Sequence, residues 1–161
     1  MSARSPNPIP PDELHRRRAR ALEAARSVGF VGRVEYRHVY SQSGGAQYGH
    51  GAGAGGDLLT VYAQAFERDA NPDDFSLRAI IAHERGHQLV ARHPDLSLLR
   101  GASPAAEEVL ASLLGALALG PGLDRDALVD KATFDVLSAG GTAQAAGNVI
   151  RNLWDILGRL L

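Results

Sequence analysis

The apolar and polar positions of the N-terminal part predict a helix followed by a strand. Between residues 12 and 27 apolar side chains recur at the spacing of one helix face, and Gly29 supplies a stop. The side chains that we expect to face the core are Leu14, Ala21, Leu22 and Ala25. From Val31 to Tyr40 the pattern changes to alternation, which predicts a half-buried strand. The side of that strand toward the core carries Val34, Tyr36, His38 and Tyr40.

A glycine-rich segment separates this strand from a second one. Residues 57–66, DLLTVYAQAF, are rich in β-forming side chains and predict a strand. The segment before it, SGGAQYGHGAGAGG at 43–56, predicts a flexible loop, either a flap beside a cleft or a plain linker. Its GAGAGG matches a dinucleotide-binding fingerprint, but that site needs a helix where a strand follows here, so we reject it.

Helical patterns fill the rest of the chain. Asn71, Asp73 or Asp74 can cap a helix that ends near His93, before Pro94. A second helix begins at the cap Ser103 and stops near Gly120, and two more cover about residues 124–138 and 143–160. A helix, strands and a run of helices indicate an α+β fold. The last helix is amphipathic, so it closes the core or forms the seam of a homodimer.

Length and composition narrow the protein class. The 161 residues suit one domain, over residues 12–161, behind a flexible proline-rich lead at residues 1–11. There are no cysteines, which excludes disulfides and thiolate metal sites. The net charge of -1 predicts no nucleic-acid partner. The sequence has neither a signal-like segment nor an apolar span, so we expect a cytoplasmic protein without membrane contact.

The segment IAHERGHQLV, residues 81–90, carries the strongest chemical signal. His83 and His87 are four residues apart in a predicted helix, so their imidazoles lie on one face and can share a zinc ion. Glu84 is turned about 100° from His83, where it can take a proton from zinc-bound water. The alternative is a pair of core histidines with ordinary hydrogen bonds.

A catalytic zinc needs a third protein ligand and an open fourth position. His93 follows His83 by ten residues, which is about 15 Å along a straight helix, and Val90 stands where a sharp turn would need glycine. The other candidates are the adjacent carboxylates Glu107 and Glu108 on the next helix.

HExxH followed by EEVLAS resembles the gluzincin peptidases, whose second helix carries E-x-x-A-D/N. The small ImmA/IrrE-type and minimal gluzincin domains are nearest in size, and the resemblance covers residues 57–119. It implies a small zincin-like domain with a short antiparallel sheet, in which strand 57–66 is the edge strand that substrate pairs with. It also implies that Glu108 is the third ligand and that Ser112 orients a metal histidine, while Glu107 is exposed or caps the helix.

Three departures from the family pattern bear on activity. Arg85 occupies a position that is usually uncharged, which we expect to point outward, and Ser112 replaces Asp or Asn. No His or Tyr follows position 93 to stabilise an oxyanion, so such a helper must come from Tyr48, His50 or Tyr62. Sheet packing for Tyr62 and a loop position for the other two are the competing interpretations.

The sequence therefore predicts a zinc-dependent metallopeptidase that acts on a peptide or protein substrate. In this hypothesis His83, His87 and Glu108 hold Zn²⁺ and Glu84 is the general base. The departures motivate an alternative, a catalytically weak zinc-binding regulatory module of the ImmA/IrrE type.

Overall fold

Five α-helices and a small sheet, with short 3₁₀ turns between them, make up the regular structure of the part of the chain that the structure describes. The computed structural model describes residues 4–67, 70–71, 75–97 and 103–161. The helices are α1 (Pro11–Ser27), α2 (Leu77–Arg92), α3 (Pro104–Leu119), α4 (Leu123–Ser138) and α5 (Ala143–Leu160). The strands are β1 (Arg33–Arg37), β2 (Ala46–Gly49) and β3 (Leu58–Tyr62). The predicted α+β class is confirmed, and the predicted helices lie within a few residues of the observed ones.

The sheet has the order β1-β3-β2, and it is mixed rather than antiparallel as predicted. β3 runs parallel to β1 and antiparallel to β2. The expectation that strand 57–66 is the edge was also wrong: it shortens to β3, which lies in the centre, and continues as a 3₁₀ turn over Ala63–Phe66. β3 has apolar residues facing both sides and is almost wholly buried, and such strands belong in the middle of a sheet.

The glycine-rich segment is only partly a loop. It contains β2, whose Ala46 is buried against the core, and a 3₁₀ turn at Ala54–Gly56. The four residues AQYG are too few for an alternating pattern to be recognised. Their pairing with β3 is a long-range contact, which the β-propensity of single residues does not predict. β2 also lies beside α2.

α1 packs its small side chains against the sheet. Ala21 and Ala25 are fully buried as predicted, but Leu22 is exposed because it is turned about 100° from Ala21. Arg17 occupies the buried row instead, where its guanidinium donates to the Tyr36 hydroxyl at 2.8 Å. Before α1, residues 4–10 have no regular secondary structure, and the Asn7 carbonyl oxygen lies 2.6 Å from His38 Nε2.

Two glycines allow α2 and α3 to cross with their backbones almost in contact. A Cβ atom at Gly86 would lie 1.9 Å from the Ala111 carbonyl oxygen, and one at Gly115 would lie 2.3 Å from that of Ala82. Both distances are far below van der Waals contact, so larger side chains would force the helices apart. This crossing brings the first turns of α3 over the histidines of α2.

Local capping sets where α2 begins and ends. The Ser76 hydroxyl accepts from the Ala79 N–H at 3.1 Å, so the cap is Ser76 rather than Asn71; Asp73 and Asp74 lie outside the described residues. α2 ends at Arg92, two residues before Pro94. The histidines therefore occupy the second and third turns of a well-defined helix.

α5 closes the second half of the core. Ile150 and Leu157 are buried in a cluster with residues of α3 and α4, whereas Val149 and Leu160 from the predicted apolar face are partly exposed. Within the described parts of the chain, no helix combines the length and the apolar character that crossing a membrane requires.

Candidate metal centre

The two histidines of α2 point one nitrogen each at the same place. The Nε2 atoms of His83 and His87 lie 3.2 Å apart, and the two rings are nearly perpendicular, with an interplanar angle of 86°. Both side chains are largely buried. The i, i+4 spacing within one helix accounts for this convergence.

Glu108 joins them from the first turns of α3. Its Oε2 lies 3.0 Å from His83 Nε2, and its Oε1 lies 3.1 Å from His87 Nε2. The close α2–α3 crossing at Gly86 and Gly115 is what allows a carboxylate from another helix to approach so near. Two imidazole nitrogens and one carboxylate therefore share one small volume.

The far nitrogens of the two rings are held by other partners on α3. His83 Nδ1 lies 3.0 Å from the Ser112 hydroxyl, and His87 Nδ1 lies 3.1 Å from Glu107 Oε2. When Glu107 accepts from an Nδ1–H, the neutral tautomer of His87 presents its Nε2 lone pair to the cluster, where it can bind a cation. Glu107 is thus neither a cap nor fully exposed, as the resemblance had implied, but a partner of the histidine ring.

The three donor atoms fit a small divalent cation. A tetrahedral zinc with bonds of about 2.0–2.1 Å has ligand atoms about 3.3 Å apart, close to the 3.0–3.2 Å between these atoms. Lone pairs facing one another at this distance repel unless a cation or a proton lies between them. Imidazole and carboxylate donors of this kind suit zinc.

Glu84 lies beside the cluster and is held by the sheet. One ligand atom each from His83, Glu84 and His87 lie within 4.8 Å of one another. The Glu84 Oε2 accepts the Tyr48 backbone N–H at 2.9 Å, so strand β2 fixes the carboxylate. Burial raises the pKa of Glu84 above its usual range, and the nearby histidines oppose this only in part.

The remaining pKa shifts follow from the same short contacts. Hydrogen bonds with His83 and His87 hold the pKa of Glu108 well below its usual range, although partial burial acts against this. Burial lowers the pKa of His87, but Glu108, Glu84 and Glu107 outweigh it and raise the pKa overall. These shifts describe a site that attracts positive charge.

A cleft opens on both sides of the cluster. One cavity, of about 230 Å³, lies on the His87 side and is lined by β2 residues such as Gln47 and by Glu107. A second, of about 180 Å³, lies on the His83 side and includes Phe75, Ile80 and Lys131. Glu84 and Glu108 line both cavities, so the cluster sits in the middle of the cleft.

The three candidate oxyanion stabilisers have other contacts. The Tyr48 hydroxyl donates to Asp57 at 2.9 Å and lies 3.0 Å from His50 Nδ1. The Tyr62 hydroxyl donates to Gln47 at 3.2 Å. The Tyr48 contribution to the cluster is its backbone N–H on Glu84.

Arg85 does not point outward, contrary to the expectation from the sequence. Its guanidinium turns inward and donates to the Gln88 amide oxygen at 2.7 Å, and its buried Nε has no hydrogen-bond partner among the described residues. Burial lowers the pKa of Arg85. The α2 face that carries Arg85 and Gln88 packs on the protein interior: Gln88 donates to the Val31 carbonyl oxygen, and the Arg85 guanidinium lies beside Gly29.

Sequence reasoning missed Glu107 and the crossing glycines. The signal for Glu107 was present: a histidine whose Nε2 faces a metal has its Nδ1 facing away, so its partner must come from off the metal face. Gly86 lies within the HExxH pattern and Gly115 lies two turns after Glu108 on the same face of α3, but only the helix crossing shows why they matter.

Comparison with models of known families, with curated proteins and with solved structures gave no significant match.

Proposed function

We propose that the protein is a zinc-dependent metallopeptidase with a zincin-like arrangement of its metal helix, second helix and sheet. The observation that carries this proposal is the convergence of His83, His87 and Glu108, whose donor atoms lie 3.0–3.2 Å apart in an open cleft. Two core histidines with ordinary hydrogen bonds would not need to point both Nε2 atoms at one carboxylate that opens into a cavity.

His83, His87 and Glu108 would hold the ion, and Ser112 and Glu107 would orient the two imidazoles. When bound by three protein ligands, zinc keeps a fourth position for water, lowers the pKa of that water to about 7 and polarises a carbonyl. The remaining chemistry belongs to side chains of the protein.

Glu84 is placed to act as the general base. Its carboxylate lines both halves of the cleft, and the Tyr48 N–H occupies Oε2, which leaves Oε1 for the attacking water. It accepts the water proton during attack on the peptide carbonyl and then returns that proton to the leaving amine. A raised pKa suits a group that must both take up and release a proton near neutral pH.

The cleft suits an extended peptide. In the described sheet β2 pairs with β3 on one side only, and its Ala46, Gln47 and Tyr48 line the cavity beside Glu84. A peptide chain can add to such an edge by main-chain hydrogen bonds. β2 thus takes the role that the resemblance had implied for residues 57–66.

The test is metal content and peptide cleavage by the wild type and by Glu84→Gln. We expect about one zinc per chain in both proteins, and cleavage of a mixed peptide library by the wild type. Loss of the general base should lower kcat by about 10²–10⁴-fold. Glu23→Gln makes the same chemical change at an exposed position of α1, so this control variant should keep both the zinc and the wild-type kcat.

Three outcomes separate the hypotheses. A Glu84→Gln protein that cleaves at the wild-type rate would remove Glu84 from the mechanism. Zinc binding without turnover in the wild type would favour the regulatory zinc-binding module. A protein that binds no zinc after removal of chelators would contradict both.

A further inference from the structure

The chain has a single lysine, and it lines the candidate metal cleft. Lys131 is the one lysine among 17 lysine and arginine residues, so every other basic side chain of these two types is arginine. It lies on α4, facing the cavity on the His83 side. Among the described residues that line the two cavities beside the cluster, it is the one lysine or arginine.

The Lys131 ammonium lies close to the cluster and is held there. Its Nζ is 3.9 Å from Glu108 Oε2 and 2.9 Å from Asp135 Oδ2, four residues later on the same helix. An ammonium has three N–H donors, so the bond to Asp135 orients the group and leaves donors directed at the cleft. The side chain is one-quarter exposed, which places it at the cleft wall.

On the basis of the proposed peptidase function, we infer that Lys131 is the group that stabilises the oxyanion. Water forms a bond to the peptide carbonyl carbon, and the carbonyl π pair moves onto oxygen. Lys131 donates a hydrogen bond to that oxygen as it becomes negative. When the electron pair on this oxygen re-forms the carbonyl double bond, the C–N bond breaks, and the amine leaves with the proton that Glu84 had taken from the water.

Two observations favour this role over recognition of an acidic substrate side chain. The guanidinium of arginine matches the two oxygens of a carboxylate, whereas the ammonium of lysine is a compact charge that suits one oxygen atom. All the other 16 residues of these two types are arginine, and the lysine is found at this position. In addition, Nζ lies next to a ligand candidate rather than at the far end of the cavity. A charge placed there meets the reacting carbonyl before it can meet a substrate side chain.

The first experiment compares Lys131→Met with the zinc-loaded wild type, using the peptide that the wild type cleaves best and its phosphinic analogue. The analogue carries a tetrahedral anionic centre in place of the scissile carbonyl. Loss of one oxyanion donor should lower kcat by about 10²–10³-fold, with KM changed by less than about threefold. Affinity for the phosphinic analogue should fall by a similar factor, while zinc affinity stays within about threefold of wild type.

Arg151→Met is the matched control, because it removes an exposed cation from α5 and leaves the cleft intact. It should match the wild type in all four quantities.

The second experiment uses the uniqueness of this lysine and needs no turnover. Reductive ¹³C-methylation labels the Lys131 amine and the N-terminal amine and retains their charge. Adding the phosphinic analogue to the zinc-loaded protein should shift the Lys131 methyl signal and leave the N-terminal signal unchanged. An unshifted Lys131 signal would overturn the inference.

Failure of this inference is distinct from failure of the proposed function. If the wild type cleaves, Glu84→Gln does not, and Lys131→Met retains kcat and phosphinic affinity, only the role of Lys131 is wrong. If Lys131→Met raises KM only for peptides with Asp or Glu, Lys131 selects a side chain and the oxyanion role is again wrong. A zinc-loaded wild type without turnover would remove both proposals.

Discussion

Helix α2 carries two pairs of polar side chains at the same spacing, and they have opposite character. His83 and His87 meet the carboxylate of Glu108 from α3. Gln88 and Arg92, also four residues apart, meet the carboxylate of Asp57 at the start of β3. Both are clusters around an acid, but Glu108 opens into a cavity whereas Asp57 is fully buried.

The Asp57 cluster has the features of a structural element. Asp57 is fully buried, and its two oxygens accept from Gln88 at 2.8 Å, Arg92 at 3.1 Å, the Gly51 N–H at 2.7 Å and the Tyr48 hydroxyl at 2.9 Å. Burial raises the pKa of Asp57, but these hydrogen bonds outweigh it and hold the pKa well below its usual range. Both carboxylate oxygens are fully engaged, so the cluster ties β2 and β3 to α2.

The cluster around Glu108 differs from it in exposure to solvent and in the number of acceptor atoms that meet. The Glu108 side chain is 46% exposed to the cleft, and the atoms that meet there are acceptors or potential acceptors. The outer nitrogens of both histidines have partners on α3, while the inner ones face one another and the Glu108 carboxylate. Saturation of a buried acid indicates a structural role, whereas convergent acceptors beside a cavity indicate a site for a cation.

The largest expected difference concerns zinc-linked stability. Zinc at about 1,000 times its Kd should stabilise the wild type by about 4 kcal/mol. Loss of a hydrogen-bond partner of a ligand lowers metal affinity by about 10–100-fold, and loss of the ligand itself should lower it further. In Glu108→Ala the stabilisation at the same zinc concentration should therefore be about 1.4 kcal/mol or less. Unfolding in urea with and without zinc measures this.

Without metal, Glu108→Ala should be less stable than the metal-free wild type by no more than about 1 kcal/mol, because Glu108 is 46% exposed and solvent screens its bonds to the histidines. Asp155→Ala, an exposed carboxylate on α5, serves as the control and should keep the full gain from zinc. An unchanged zinc gain in Glu108→Ala would contradict the assignment of the third ligand.

The next largest effect is independent of zinc: Asp57→Asn should lower the free energy of unfolding whether or not zinc is present. The amide keeps the shape but loses the charge that Arg92 and Gln88 surround, and we expect a loss of about 3 kcal/mol at pH 7. Because the folded pKa of Asp57 is depressed, its contribution is complete above the unfolded value of about 3.9. It should therefore diminish as the pH falls below about 4.

Urea unfolding of the metal-free wild type and Asp57→Asn between about pH 3 and pH 7 tests this. The difference between their free energies of unfolding should be constant above about pH 5 and should become smaller below about pH 4. Glu23→Gln, exposed on α1, should track the wild type throughout. A difference that grows with acid would show that Asp57 is not ionised in the folded protein.

The two clusters also differ in how far the sequence predicts them. The spacing of His83 and His87 is local, and helix geometry alone brings their rings together. Glu108 was identified only through a resemblance, since periodicity does not say which turn of α3 crosses α2. That crossing depends on Gly86 and Gly115, whose role is visible only when the helices are packed.

The sequence analysis did not predict any part of the Asp57 cluster. Asp57 was expected to open a strand at the sheet edge, and nothing local marks Arg92 as its partner. Their ion pair joins residues 35 positions apart and depends on β3 lying in the centre of the sheet. Burial of Arg85 was missed for the same reason, because no local pattern shows which face of α2 lies against Gly29 and Val31.

The smallest effect, and the finest test of the comparison, concerns the outer partners of the histidines. Glu107→Gln and Ser112→Ala should each lower zinc affinity by about 10–100-fold without changing its stoichiometry. The Glu107 change should be the larger, because a carboxylate accepting from an imidazole makes a charge-assisted bond and a hydroxyl does not. Competition with a chromophoric chelator measures both affinities. If either variant binds zinc as tightly as the wild type, that partner only fills space, and the centre orients its histidines by helix packing alone.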